Sequence, residues 1–423
     1  MALLQDDPHT ASAAGRLSTE PPAHDDVPRA PAADEPRAPA ADTPAGSTTG
    51  TPSASAADAP SAAVESPSAS AADAPSAAAA AAAADDDPSA DGSLPLARAL
   101  LAAHPVADGY NGLAGALSAA PWSDIGLGES TLETDLPRLR SGGVGAQFWS
   151  LHARGRCAVT ATLERIDQVR AMIGGYPEAL RLALGSGEVG DARACGRIAS
   201  LLGPADAPAI GDSLGTLRAL HALGVRSLTL AGTDWASPTG LTRFGQEVVR
   251  EMNRIGMLAD LSGASAGTMR AVLTTSRAPV LLSRSGAHAL TCHPGNAPDD
   301  VLAALRQNGG LCMVPFAADR TGPEIGDVAD HLDHVRSLAG PGCVGLSGTY
   351  DTGAAHQGAL RDAAGYPYLI AELLDRGWPE ADLAGLTWGN LQRVLRDLEF
   401  TARAAQQRRE PSTARIEDLD GRG

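Results

Sequence analysis

Lysine is missing from this chain: all 33 of its Lys and Arg residues are arginine. Schiff-base chemistry and a lysine general base are therefore excluded. Aromatic side chains make up only 3 % of the 423 residues, and none lies in the first 93. No stretch of about 18 apolar residues occurs, and no basic segment followed by an apolar run opens the sequence. Neither a membrane span nor a secretory signal is expected, and a cytoplasmic protein is. The five cysteines, Cys157, Cys195, Cys292, Cys312 and Cys343, form no CxxC pair. An odd set without paired spacing points to reduced thiols rather than disulfides or a structural zinc site.

Residues 1–93 are mostly Ala, Pro, Ser and Asp. They repeat PSASAADAPSAA from Pro52 and Pro67, and RAPAAD from Arg29 and Arg37. Such a segment cannot bury enough apolar surface to offset chain entropy, so a disordered tail is expected there. It holds 15 acidic against 3 basic residues and so carries most of the formal charge of −17. The remainder is only mildly acidic and lacks the concentrated basic surface that nucleic acid requires.

Residues 94–405 alternate short β-like runs with helical periods, and 406–423 form a polar C-terminal tail. The runs include GVGAQFWSL from Gly143, ALRLAL from Ala179, RIASLL from Arg197 and RSLTLA from Arg226. They continue with MLADLS from Met257, PVLLSR from Pro279, LCMVPF from Leu311 and CVGLSG from Cys343. Between them, Leu241, Phe244, Val248, Val249, Met252 and Ile255 make one apolar stripe that Gly256 is placed to stop. About eight β-α units suggest an α/β fold, a (β/α)8 TIM-like barrel, with a doubly wound sheet as the alternative. The phrase DGYNGLAGAL from Asp108 then falls at the end of the first strand.

Longer phrases carry a family resemblance: GGVGAQFWSLHA from Gly142, DSLGTLRALHALGVRSLTL from Asp212, LTRFGQEVVREMNRIGMLADLS from Leu241, HLDHVRSLAGPGCVGLSG from His331 and YPYLIAELLDRGWPEADLAGLTWGNLQRVLR from Tyr366. They resemble the membrane (renal) dipeptidases, zinc-dependent peptidases on a barrel of the metal-dependent hydrolase type. The resemblance implies two zinc ions at the C-terminal mouth and a metal-bridging water that attacks a dipeptide.

The residues at the corresponding positions are different ones. The family's His-x-Asp on the first strand reads Tyr110 and Gly112, and its bridging Glu falls on Ala205. The neighbouring Asp206, one residue out of register on a strand end, is expected to point away. The two later His ligands fall on Gly263 and Arg284. A further His falls on Gly232, the Arg of an HPRN phrase on Gly295, and the catalytic Asp of a GSDFD phrase on Thr349, which leaves Asp351 as the surviving carboxylate. The expectation is a pseudoenzyme with no catalytic residue, no metal and no cofactor, which binds a small anionic ligand or dipeptide and pairs with itself or with an active relative. The alternative is an active dipeptidase with a rearranged site.

Arg284, Tyr110 and Asp351 are the candidate ligand-binding residues. Arg284 puts a permanent cation where a metal ligand stood, either for a ligand's carboxylate or for an internal pair with Asp351 or Asp108. The helical pair His331 and His334 and the loop pair His288 and His293 have spacings that could bind metal, although the family places the first pair outside the active site. Ser283 and Ser285 lack assigned partners, and Cys312 lies in an apolar strand where a thiol is inert.

Overall fold

Every β-like run becomes a strand of one parallel sheet, covered outside by the helices between the strands and filled inside by side chains. The strands are β1 Val106–Asn111, β2 Val144–Trp149, β3 Leu180–Leu182, β4 Ile198–Leu202, β5 Ala205–Asp206 and β6 Ser227–Thr229, the hairpin β7 Ala236–Ser237 and β8 Gly240–Leu241, then β9 Leu258–Asp260, β10 Leu281–Leu282, β11 Leu311–Pro315 and β12 Val344–Ser347. All residues of β1, β2, β4, β11 and β12 are buried, as strands covered on both faces must be. This computed structural model describes residues 90–120, 123–128, 131–153 and 158–421. The expected disordered tail lies outside the described residues up to position 89. The helix Ala90–Ala103 begins just inside its boundary.

The sheet runs β3-β4-β2-β1-β12-β11-β10-β9-β6-β5. Only Gly203 and Pro204 separate β4 from β5 along the chain, yet β5 lies at the far end of that order from β4. The sheet must therefore curl until its ends meet. A parallel bridge between Leu202 and Val225, with Arg226 N donating to the Leu202 carbonyl at 2.9 Å, joins them. The result is the curled, barrel-like parallel sheet expected for a (β/α)8 fold.

The helix Arg243–Ile255 shows how the sequence sets its own boundaries. The Thr242 hydroxyl accepts from Gly245 N at 3.2 Å, and Gly256 closes the helix with φ 79° in the left-handed region. Phe244, Val248, Val249 and Met252 are fully buried on its inner face. Burying one such side chain contributes roughly 1.5–3 kcal/mol.

The described part of the polar C-terminal segment, up to residue 421, is tied to the barrel. Phe244 N donates to Asp420 Oδ1 at 3.0 Å, Arg218 Nη1 donates to the Ser412 carbonyl at 2.9 Å, and Ile416 and Leu419 pack against the core. These contacts to the barrel are not revealed by composition alone. Among the described residues no helix is long and apolar enough to cross a membrane, and Cys195, Cys292, Cys312 and Cys343 are free.

Candidate functional site

The strand C-termini converge on one mouth, where barrels of this kind carry their chemistry. Tyr110 leaves β1, Ser150 and His152 follow β2, Asp206 ends β5, Thr229 ends β6, Asp260 ends β9 and Arg284 follows β10. A cavity of about 610 Å³ is lined there by Tyr110, Ser150, His152, Arg165, Asp206 and Asp351. That volume suits a small organic ligand.

His152 sits at the centre of the polar network. Arg284 Nη2 lies 3.2 Å from His152 Nδ1, and because a guanidinium only donates, Nδ1 must accept. The imidazole proton then resides on Nε2, 3.1 Å from Thr229 Oγ1 and 3.2 Å from Asp206 Oδ1. The Thr229 hydroxyl in turn donates a hydrogen bond to Asp260 Oδ2 at 2.6 Å. Tyr110 OH stands 3.0 Å from Nδ1 and accepts from Ser150 Oγ at 2.8 Å. Burial, and then the Arg284 charge, hold the His152 pKa well below its ordinary value. The contact with Asp206 is thus a hydrogen bond from a neutral ring rather than an ion pair.

Arg284 stacks over the Tyr110 ring, with Cζ 4.1 Å from its centroid. It lies behind the cavity wall, and its Nη1 is buried without a hydrogen-bond partner among the described residues. Neither carboxylate considered as its partner reaches it. Asp108 accepts from Tyr366 OH at 2.7 Å and from Gly348 N and Tyr110 N at 3.0 Å each. Burial pushes its pKa up to about 6 against those hydrogen bonds. Asp351 Oδ1 accepts from Glu133 N at 2.9 Å.

The glycines that the resemblance singled out separate into two kinds. Gly232 and Gly263 have φ of 77° and 75°, a backbone conformation that suits glycine. Gly112 and Gly295 instead are closely approached by other groups. A Cβ at Gly112 would meet the Asp351 carbonyl oxygen at 2.3 Å, and one at Gly295 would meet Arg320 Nη1 at 2.4 Å. Arg320 donates to the carbonyls of Arg284 at 2.8 Å and Gly295 at 3.3 Å. Thr349 and Asp351 hold left-handed backbone, φ 56° and 57°. Ala205 is buried in β5, while Asp206 faces the cavity, against the expectation that it points away. The reason is local: β5 has two residues, and Asp206 already opens the turn Ala207–Ile210, so strand alternation does not extend to it.

The other histidine pairs do not assemble. His331 is buried, its Nδ1 accepting from Ala287 N at 2.9 Å, whereas His334 is turned outward to Asp299 at 2.9 Å. His288 lies 3.5 Å from Cys292 Sγ and His293 3.6 Å from Asp319. Burial pushes the Cys312 thiol pKa up. Arg165 and Arg320 lie outside the quoted family phrases, and His152 lies in GGVGAQFWSLHA without having been singled out; their position at the mouth brings out all three.

The profile of the membrane dipeptidases, peptidase family M19, matches residues 95–409. The chain belongs to the membrane dipeptidase family. It is 39 % identical over 330 residues to Dipeptidase 3 of Macaca fascicularis, covering 72 % of this chain and 67 % of that protein. It is 40 % identical over 303 residues to Dipeptidase aclJ of Aspergillus oryzae, covering 64 % and 71 %. A metallo peptidase from Rhodobacter sphaeroides, solved with a phosphinate mimic of the dipeptide L-Ala-D-Ala, superposes with a TM-score of 0.64 at 25 % identity over 70 % of this chain and 99 % of its own.

These relatives correct the sequence-based expectation of no cofactor. The dipeptidase family is one of metallopeptidases, so a metal belongs to the scaffold this chain shares. The side chains at this mouth do not fit a metal pair. Among the described residues no three His, Cys, Asp or Glu side chains converge as a metal site. The Arg284 guanidinium, hydrogen-bonded to the His152 imidazole, would also repel a dication placed there. No catalytic step is therefore derived through a metal.

One prediction follows from the His152 network. The unfolded chain takes up a proton on this ring below about pH 6.5, whereas the folded chain resists it. The contribution of His152 to stability is therefore lost as pH falls below that value. Arg284→Ala should raise the His152 pKa toward the ordinary range and flatten this acid dependence, read by NMR titration of the imidazole and by urea melts across pH 4–7. A His152 signal that titrates normally in the unsubstituted protein would contradict the network.

Proposed function

We propose that this dipeptidase-family protein uses its mouth to bind a small zwitterionic or anionic ligand of dipeptide type without hydrolysing it. The observation that carries the reading is the cavity itself. It keeps the size and polarity for such a ligand, while fixed protein groups, Arg284 on Tyr110 and Arg320 beside Gly295, fill the space around it. Tyr110 and Asp351 form part of the ligand's surface, and Arg284 positions Tyr110 and His152 from behind. Pairing with a second copy, or with an active dipeptidase, belongs to the same proposal and is checked by sedimentation.

The competing reading is a rearranged dipeptidase, with neutral His152 held by Asp206 as a base. Isothermal titration with L-Ala-L-Ala and L-Ala-D-Ala, run beside a ninhydrin assay of the same mixtures with and without added zinc, separates the two. Binding without released alanine is expected. Release of alanine that His152→Ala abolishes would replace this proposal with the hydrolase.

A further inference from the structure

Resting on that reading, the inference concerns which cation meets the ligand. Of Arg165, Arg284 and Arg320 near the mouth, Arg284 lies behind Tyr110 and Arg320 is turned to two backbone carbonyls. Arg165 lines the cavity. It projects from the helix Ala158–Gly175 and is half-buried. Among the described residues it forms no ion pair, and its one hydrogen bond runs from Nη1 to Ser118 Oγ at 3.2 Å. A desolvated guanidinium with free donors on a cavity wall is a carboxylate receptor, because its planar fork matches two carboxylate oxygens.

Local sequence makes room for it. Gly115, in the helix Leu113–Ala119 that follows β1, has no side chain, and a Cβ there would stand 3.3 Å from Arg165 Nη1. The second glycine of the NGLAG phrase thus leaves the guanidinium its place over that helix. The same cavity is lined by Asp206, whose contacting side-chain partner is the neutral His152; burial raises its pKa, the Arg284 charge works against that from behind, and no cation is in contact with the carboxylate among the described residues.

We infer that Arg165 binds the carboxylate of the ligand and Asp206 its ammonium group. The mouth then selects free α-amino-acid termini at both ends. Neither residue stands at a position where the family resemblance places a metal ligand or a substrate arginine. The anchoring charge has moved to a helix beside the mouth.

The test titrates the full chain with L-Ala-L-Ala, its C-terminal amide and its N-acetyl derivative. Arg165→Gln should weaken L-Ala-L-Ala binding about 10- to 100-fold, as loss of a charged hydrogen-bond partner does. The amide should bind the unsubstituted protein as weakly as L-Ala-L-Ala binds this variant, and should lose nothing further on the substitution. Asp206→Asn should weaken the free amine but not the N-acetyl compound. Gly115→Val, which displaces the guanidinium without removing it, should reproduce the Arg165→Gln loss, and a thermal melt of each variant shows that it is folded. Unchanged binding by folded Arg165→Gln would overturn this inference and leave the proposed function standing. Failure of the unsubstituted chain to bind any of the three compounds would overturn both.

Discussion

Glu251→Ala is expected to lower the free energy of unfolding by about 3–5 kcal/mol, the range for stranding the partners of a buried ion pair. Glu251 is fully buried. Arg254 Nε and Nη2 each reach it at 2.9 Å, and so does Arg218 Nη1. Burial alone would raise its pKa, but the hydrogen bonds from Arg254 and Arg218 reverse this and hold it below the ordinary carboxylate range. Ser412 N also donates to Glu251 Oε2 at 3.4 Å, so one carboxylate joins two helices to the C-terminal segment. The alanine variant should also expose residues near Arg409 to trypsin. Glu251→Gln keeps the acceptor oxygen and should lose less, about 1–3 kcal/mol. Denaturant melts measure both, and an alanine variant within 1 kcal/mol of the parent would show that this junction is not what holds the segment.

Restoring the family's acidic residue by Gly112→Asp should fail structurally before it can succeed chemically. The added Cβ falls 2.3 Å from the Asp351 carbonyl oxygen, a backbone atom that cannot rotate aside. That turn is further fixed because Gly112 N donates to the Tyr350 carbonyl at 2.8 Å and Thr349 N to the Tyr110 carbonyl at 3.1 Å. Overpacking against backbone should cost about 3 kcal/mol, the upper part of the usual range. It should also disturb the positive-φ pair Thr349 and Asp351. Gly263→Asp is the internal comparison: a Cβ there meets nothing within 4 Å, so its penalty arises from φ 75° alone and should be about 1–2 kcal/mol. Equal melting of Gly112→Asp and the parent would mean that the turn yields easily and that the mouth could be rebuilt one residue at a time.

The fold was legible because its signals are local. Apolar runs marked the strands, and the stripe ending at Gly256 marked the helix Arg243–Ile255 almost to the residue. Tyr110, Gly112 and Arg284 were singled out because long family phrases suggested their register, and the structure places Tyr110 and Arg284 together at the mouth. What escaped was tertiary. Asp206 was assigned the wrong direction because strand alternation was extended over a two-residue strand. Arg165 belongs to a helix whose sequence announces nothing, and its guanidinium packs over Gly115, 50 positions earlier, where a side chain would crowd it. The C-terminal segment reads as polar because its partners, Glu251 and Arg218, are polar too.

The closure of the sheet has a consequence for how the chain is made. β1 pairs with β12 through Asp108 and Leu346, and the Asp108 side chain receives a hydrogen bond from a residue 240 positions later. A ribosome adding about 5–20 residues per second needs roughly 10–50 s to cover that distance. Throughout that time β1 has β2 on one side and an open edge of unpaired backbone groups on the other, with the Asp108 carboxylate not yet buried. The nascent protein must be shielded along that edge until its last strand emerges, so truncated chains ending before residue 344 should be chaperone clients or aggregates rather than smaller folded units.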